Sequence, residues 1–245
     1  MKTLTVKPVS DLRPLGDRTR RMWPFVLLLA ALLAGLLLWW WPNPEHQPDS
    51  LSESRLVGAR GPGCVRLILA NDISGSMTQF SAPREDALQQ LLTWSPKNLR
   101  ADDEVAVLDF SGQAMVTMAP SAVGSGPAPR MRSQQFAGTS LAELLRAVTD
   151  LPATPCSSAL VLLSDGILHD RPDDSETARN QLVSAGLHTV DLLIPGDTIE
   201  TDEEWPQVYP YAPPTRFDGN DSDSTGLAIG RALGRLTGQR LEAAE

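Results

Sequence analysis

Between Trp23 and Trp41 the chain runs for nineteen residues without a charge, most of them Leu, Ala and Trp. A helix of that length rises about 1.5 Å per residue and spans roughly 28 Å, close to the hydrocarbon thickness of a bilayer. Trp23 stands at one end and Trp39, Trp40 and Trp41 at the other, where indole rings suit the two interfaces. A fully buried soluble helix is the alternative, but the run has no polar face and lies near the N-terminus. The run therefore divides the chain and leaves the residues after it to form one globular domain of ordinary size.

The flanks of the run predict its orientation. Lys2, Lys7, Arg13, Arg18, Arg20 and Arg21 precede it against Asp11 and Asp17, a net +4, whereas the whole chain carries −9 and the remainder −13. The basic tail is expected to stay in the cytoplasm and the acidic body to cross, giving a single-pass protein of the cell membrane with its domain outside. A cleaved signal peptide is the rival reading. The run leaves through Trp-Trp-Trp-Pro with no small-x-small cleavage site, which favours an uncleaved signal-anchor. Arg20-Arg21 is only a weak twin-arginine signal, because Met-Trp-Pro follows it. The acidity of the body argues against nucleic acid as a partner and suits a soluble exported domain.

Composition then sets the boundaries: 1–22 a basic tail, 23–41 the transmembrane helix, 42–63 a linker rich in Pro, Gly, Ser and Glu, 64–241 the domain, and 242–245 a short tail. Within the domain, Val65 to Ala70, Glu104 to Phe110, Ala159 to Leu163 and His188 to Ile194 read as strands, with a weaker one near Val208. Gln113 to Met118 follows Ser111-Gly112 as the return strand of a hairpin. A Gly/Pro/Ser-rich loop is expected from Pro120 to about Pro129. Helices are expected over Pro83–Thr93, Leu141–Leu151, Ser175–Ala185 and Gly226–Leu241. Strands alternating with helices imply an α/β fold, a mostly parallel sheet covered on both faces, with the hairpin adding an antiparallel edge strand.

The chemistry gathers at the expected carboxyl ends of those strands. Asn71-Asp72-Ile73-Ser74-Gly75-Ser76 follows the first strand, and its i, i+2, i+4 spacing points one carboxylate and two hydroxyls at a common spot. Gly75 would let the backbone curl close. Gly138-Thr139-Ser140 stands just before a helix, where Thr139 offers a third hydroxyl or serves as an N-cap. Ser164-Asp165-Gly166 ends the Leu-rich strand, where Asp165 orients a metal-bound water or makes ordinary turn chemistry. Hard oxygen ligands of this kind suit Mg²⁺, with Mn²⁺ or Ca²⁺ as alternatives.

The set Asp-Ile-Ser-Gly-Ser, then Gly-Thr-Ser before a helix, then Leu-Leu-Ser-Asp-Gly ending a strand resembles that of von Willebrand factor type A domains, over roughly residues 64 to 241. The resemblance implies a doubly wound, Rossmann-like sheet of six strands in the order 3-2-1-4-5-6, the third antiparallel. It implies a metal-ion-dependent adhesion site in which Ser74, Ser76 and Thr139 hold the cation most directly. Asp72 and Asp165 would bind it directly or through water, and an acidic residue of a partner protein would complete the shell. Asn71 departs from the family pattern, which has an apolar residue before the Asp, but removes no ligand.

Cys64 lies eight residues before Asp72 and Cys156 nine before Asp165. If both Asp residues end neighbouring parallel strands, the two Cys residues lie near the opposite ends of those strands, within disulfide reach. A Cys64–Cys156 bridge is expected, in keeping with an exported domain; two free buried thiols are the alternative.

Other chemistries find little support. His46, His169 and His188 have no metal-ligand spacing, and there is no Gly-x-Ser-x-Gly elbow or phosphate-binding Gly-Lys-Ser/Thr loop. A metal-dependent phosphatase with an aspartyl nucleophile would place a second carboxylate two positions after it; here that position is Ser74. The sequence therefore reads as a binding module and not an enzyme, with a phosphatase or a metal-free scaffold as the alternatives. The acidic stretch Asp197 to Glu204 reads as a solvated loop.

Overall fold

The structure is a computed structural model that describes residues 27, 29, 31–33, 48–123 and 138–244. The chain forms two compact units, Met1–Glu45 and His46–Glu245. In the first, Leu27, Leu29 and residues 31–33 are helical. The rest of the expected span 23–41 and the basic tail 1–22 lie outside the described residues. No helix among the described residues is long and apolar enough to cross a membrane.

The second unit is built on a six-stranded sheet. Its eight-residue central strand β2 (Val65–Asp72) is buried at every position. The reason is its neighbours: it pairs in parallel with β3 (Glu104–Phe110) on one side and β5 (Ser157–Leu163) on the other. A strand covered on both faces is mostly apolar on both, which is why the middles of these segments read as Val/Leu/Ile/Ala runs, with the buried polar residues near their ends. β4 (Ala114–Ala122) returns antiparallel to β3, and β6 (Thr189–Pro195) and β7 (Thr215–Phe217) extend the sheet in parallel beyond β5. The order is β4-β3-β2-β5-β6-β7, so the winding reverses between β2 and β5.

Alternate residues along each strand feed two separate cores. On one face Ile68, Ala70, Leu108, Leu160 and Leu162 pack with Leu144 and Val148 of α2 (Leu141–Thr149) and Leu182 of α3 (Ser175–Ser184). On the other, Leu67, Leu69, Val105, Val107 and Val161 pack with Leu88 and Leu91 of α1 (Ser81–Asn98) and Ile229 and Leu233 of α5 (Ser222–Thr237).

Several elements differ from the sequence reading, each for an identifiable reason. The segment near Val208 is a short helix, α4 (Trp205–Val208), started by Pro206; the sixth strand is Thr215–Phe217. β4 runs through Pro120, which an edge strand tolerates because its outer N–H side needs no partner. Residues 124–129 of the loop expected there lie outside the described residues. The last helix begins at Ser222 because Asp221 caps it, accepting from the amides of Asp223 and Ser224, and it ends at Gly238 with φ 75°.

The largest difference is in the expected linker. Leu51 is fully buried, and β1 (Ser54–Val57) pairs antiparallel with β8 (Arg240–Ala243) in a second, two-stranded sheet. The bridge between Cys64 and Cys156 is present, with Cα atoms 4.7 Å apart at the starts of β2 and β5.

Candidate functional site

The strand order reverses between β2 and β5, and in open α/β sheets the carboxyl ends of such strands are where ligands sit. β2 delivers Asp72 to that edge, and the pairing with β3 continues one step further through Ile73 N–H to the Phe110 carbonyl at 2.9 Å. Ser74 then turns the chain into a 3-10 segment, Gly75–Phe80. That turn brings the Ser74 and Ser76 hydroxyl oxygens to 3.2 Å from each other. β5 delivers Ser164 and Asp165 from the other side.

Asp72 is fully buried and uses both carboxylate oxygens. Oδ1 accepts from the Ser74 amide at 2.8 Å and Oδ2 from the Ser164 hydroxyl at 2.6 Å. Burial pushes its pKa above the usual carboxylate value; the hydrogen bonds from Ser164 and Ser74 oppose that, and the neighbouring Asp165 adds to it. Asp165 accepts from the Ser76 hydroxyl through Oδ2 at 2.7 Å and from the Ile167 amide through Oδ1 at 3.0 Å. Gly166 has φ 79°, and a Cβ there would stand 2.8 Å from Leu192 Cδ2, so the turn that aims Asp165 requires glycine. Gly75 is different: its φ is not positive, and a Cβ would meet no atom within 4 Å. The local backbone does not require glycine there.

Thr139 is buried at the same edge. Its carbonyl accepts from the His169 amide at 3.1 Å, and the next amide, of Ser140, donates to the Ser111 carbonyl at 2.8 Å. No hydrogen bond joins its side chain to the other four residues. The structure thus links Asp72, Ser74, Ser76 and Asp165 in one hydrogen-bonded chain and places Thr139 in a loop pinned to the ends of β3 and β5.

Two supporting residues, Arg84 and Asp170, escaped the sequence reading. Arg84 is buried, and its guanidinium donates to the carbonyls of Asp72 (2.7 Å), Met77 (2.9 Å), Phe80 (3.2 Å) and Leu163 (3.3 Å). It therefore ties the end of β2, the end of β5 and the Ser76 turn together from beneath. Burial lowers its pKa to about 10, against the opposing pull of Asp72 and Asp109, so it stays charged at neutral pH. Its signal was a cation on the apolar face of α1, three residues before Ala87 and four before Leu88.

Asp170 caps α2 from outside, accepting from the Leu141 and Ala142 amides and the Ser140 hydroxyl at 2.7–2.9 Å. Ser164 is the donor to Asp72 described above, and Asn71, the departure from pattern, donates to Asp109 Oδ1 at 3.1 Å. The acidic stretch is largely exposed, and within it Asp202 and Glu204 pair with Arg171. Among the described residues no group of three or more His, Cys, Asp or Glu is placed to hold a metal.

No family model matches the chain, and no curated protein matches it. Solved structures do. Proximal thread matrix protein 1 from the mussel byssus superposes with a TM-score of 0.50 at 13% identity, over 78% of this chain and 50% of that one. The chain thus spans half the length of that protein, and at this identity the likeness concerns the fold. A second structure of the mussel protein, with a zinc-occupied MIDAS motif, gives 0.47 at 12% identity over 78% and 49% of the two chains. An aerotolerance-related membrane protein from Bacteroides fragilis gives 0.45 at 17% identity, over 70% and 99%.

Proposed function

On a von Willebrand factor type A fold, we propose that this chain is a membrane-anchored binding module that holds a divalent cation on Ser74, Ser76 and Thr139, backed by Asp72 and Asp165, and presents it to an acidic residue of a partner protein. The observation that carries the reading is the 3.2 Å separation of the Ser74 and Ser76 hydroxyl oxygens. Neighbouring ligands of an octahedral ion with bonds of about 2.1 Å stand ~3.0 Å apart, so the pair already has the spacing of two adjacent Mg²⁺ ligands.

The proton arrangement supports it. Ser76 gives its hydroxyl proton to Asp165, so Ser74 is the donor to Ser76, and each hydroxyl oxygen keeps a lone pair for a cation. The donor set is all oxygen, with no thiolate or imidazole in the hydrogen-bonded chain, which suits Mg²⁺ first and Mn²⁺ or Ca²⁺ after it. When bound, the cation supplies positive charge that hydroxyls cannot neutralise; Arg84 beneath offsets part of the carboxylate charge. An incoming carboxylate is the ligand such a site attracts.

The module reading is preferred to a hydrolase because the position two after Asp72 is a hydroxyl, Ser74, which cannot act as general acid or base near neutral pH. Anchoring rests on the uncharged run 23–41 and the basic residues before it, with the domain outside the cell membrane.

Water-proton relaxation with Mn²⁺ as the probe tests the site in the full chain in detergent micelles. The reading expects one Mn²⁺ per chain, lost in Ser76→Ala, with its exchangeable water displaced by added acetate. Absence of stoichiometric Mn²⁺ from the folded parent would reject it.

A further inference from the structure

The residues from Pro48 to Val57 form a strap across α1 and α5 that the metal site does not need. Leu51 sits in a groove that α5 leaves open by carrying glycine at successive turns. A Cβ at Gly226 would stand 3.3 Å from Leu51, and one at Gly230 would stand 2.6 Å from it and 3.1 Å from Leu241 of β8. The strap's polar ties include the Ala244 amide, which donates to the Glu53 carbonyl at 2.7 Å. The Trp94 indole N–H donates to the Ser54 carbonyl at 2.7 Å, and the Leu56 amide donates to Asn98 Oδ1 at 3.1 Å. β1 pairs on one side only, over four residues. Beyond it Gly58-Ala59-Arg60-Gly61-Pro62-Gly63 is held by the Gly61 amide on the Thr237 carbonyl at 3.1 Å and by Arg60 on Asp103 at 2.5 Å.

At Cys64 the character of the chain changes. The next residue opens β2, which is paired along its length on both sides, and Cys64 itself is bonded to the start of β5. Tension arriving along the chain from the N-terminal side meets a one-sided strap first and a doubly paired, cross-linked strand second. Opening the strap breaks one short ladder from its end, whereas moving β2 requires both of its ladders to yield together. β2 and β5 are also the two strands whose far ends carry Asp72, Ser74, Ser76 and Asp165.

We propose that residues 48–63 are a releasable tether: under load the strap peels from the α1–α5 groove, and release stops at Cys64, leaving the sheet and the metal-site loops folded. Its use as a tether rests on the anchored-module reading, whereas the separable release does not. At 3.3–3.6 Å per extended residue the strap can supply at most about 55 Å of added length.

Optical-tweezers stretching of the full chain in detergent micelles, with handles at positions 46 and 79, tests this without metal or partner, so its failure is distinct from failure of the metal site. The expected record is an early, reversible lengthening of no more than about 5.5 nm, followed by a separate step at higher force. Leu51→Ala lowers the force of the first step and leaves the second in place. Gly230→Val, which crowds the same groove, does the same by a different route. A single step from folded to extended, or a first step longer than the strap can supply, would overturn the proposal, because β2 would then be leaving with the strap.

Discussion

Ser76 and Asp165, separated by 89 residues in sequence, are joined by a 2.7 Å hydrogen bond in which the hydroxyl donates and the carboxylate accepts. This bond joins the turns that follow β2 and β5 at one end of the sheet, while Cys64–Cys156 joins the same pair of strands at the other. On the proposed reading, the Ser76 hydroxyl is thereby oriented before any cation arrives. Ser76→Ala leaves Asp165 with the Ile167 amide alone. In excess chelator it is expected to cost about 1.5–3 kcal/mol, the range for a hydrogen bond to a charged group, measured by urea denaturation.

Arg84 is the residue whose loss is expected to cost most. Arg84→Met leaves four carbonyls without their donor and removes the cation beneath Asp72. A loss on the order of 3–5 kcal/mol is expected by urea denaturation, as for a broken buried charge network. Arg84→Lys keeps the charge but cannot reach all four acceptors, and it should fall between the parent and Arg84→Met.

The two glycines flanking the site should respond in opposite ways to a single methyl group. Gly166→Ala places a Cβ against Leu192 at positive φ and is expected to lower stability by about 1–3 kcal/mol. Gly75→Ala meets open space at negative φ and should leave the thermal midpoint unchanged or slightly raised. Thermal unfolding of the two variants side by side measures the contrast.

Asp103 sets an acid limit on the strap junction. Burial alone would raise its pKa; the Arg60 guanidinium and the amides of Val65 and Arg100 outweigh that and hold it below the usual carboxylate value. With the folded pKa below the unfolded one, the unfolded chain binds more protons between them, so stability rises with pH in that window. The contribution is complete above about pH 4 and is lost as pH falls through the folded value. Urea midpoints taken from pH 6 to pH 3 should fall on the acid side, and Asp103→Asn, weaker at neutral pH, should show a shallower acid decline.

How much of this was legible in the sequence varies by element. β2, β3 and β5 were readable because strands buried on both faces leave mostly apolar runs, and the residues closing them, Asp72 and Asp165, stand where a ligand edge must be. The bridge was readable because similar spacings from those Asp residues, eight and nine, put both cysteines at the same sheet edge. The strap was not readable: Leu51 is ordered by glycines on a helix 175 or more residues later, and local composition around it is that of a linker. α4 is too short to show a period. Arg84 was hidden by the expectation that cations on helices face water. Asp170 caps a helix that begins 29 residues before it, outside any local capping pattern.

The most direct test of the account is thermal unfolding of the full chain in detergent micelles, in excess chelator and across a Mg²⁺ titration, beside Ser76→Ala. A native-state site raises the midpoint with the logarithm of free Mg²⁺ once Kd is exceeded, by a stabilisation of about 2.7 kcal/mol at a hundredfold excess over Kd, in the parent and not in the variant. A parent whose midpoint is the same in chelator and in saturating Mg²⁺, or a variant that shifts equally, would contradict a cation held on the Ser74–Ser76 pair.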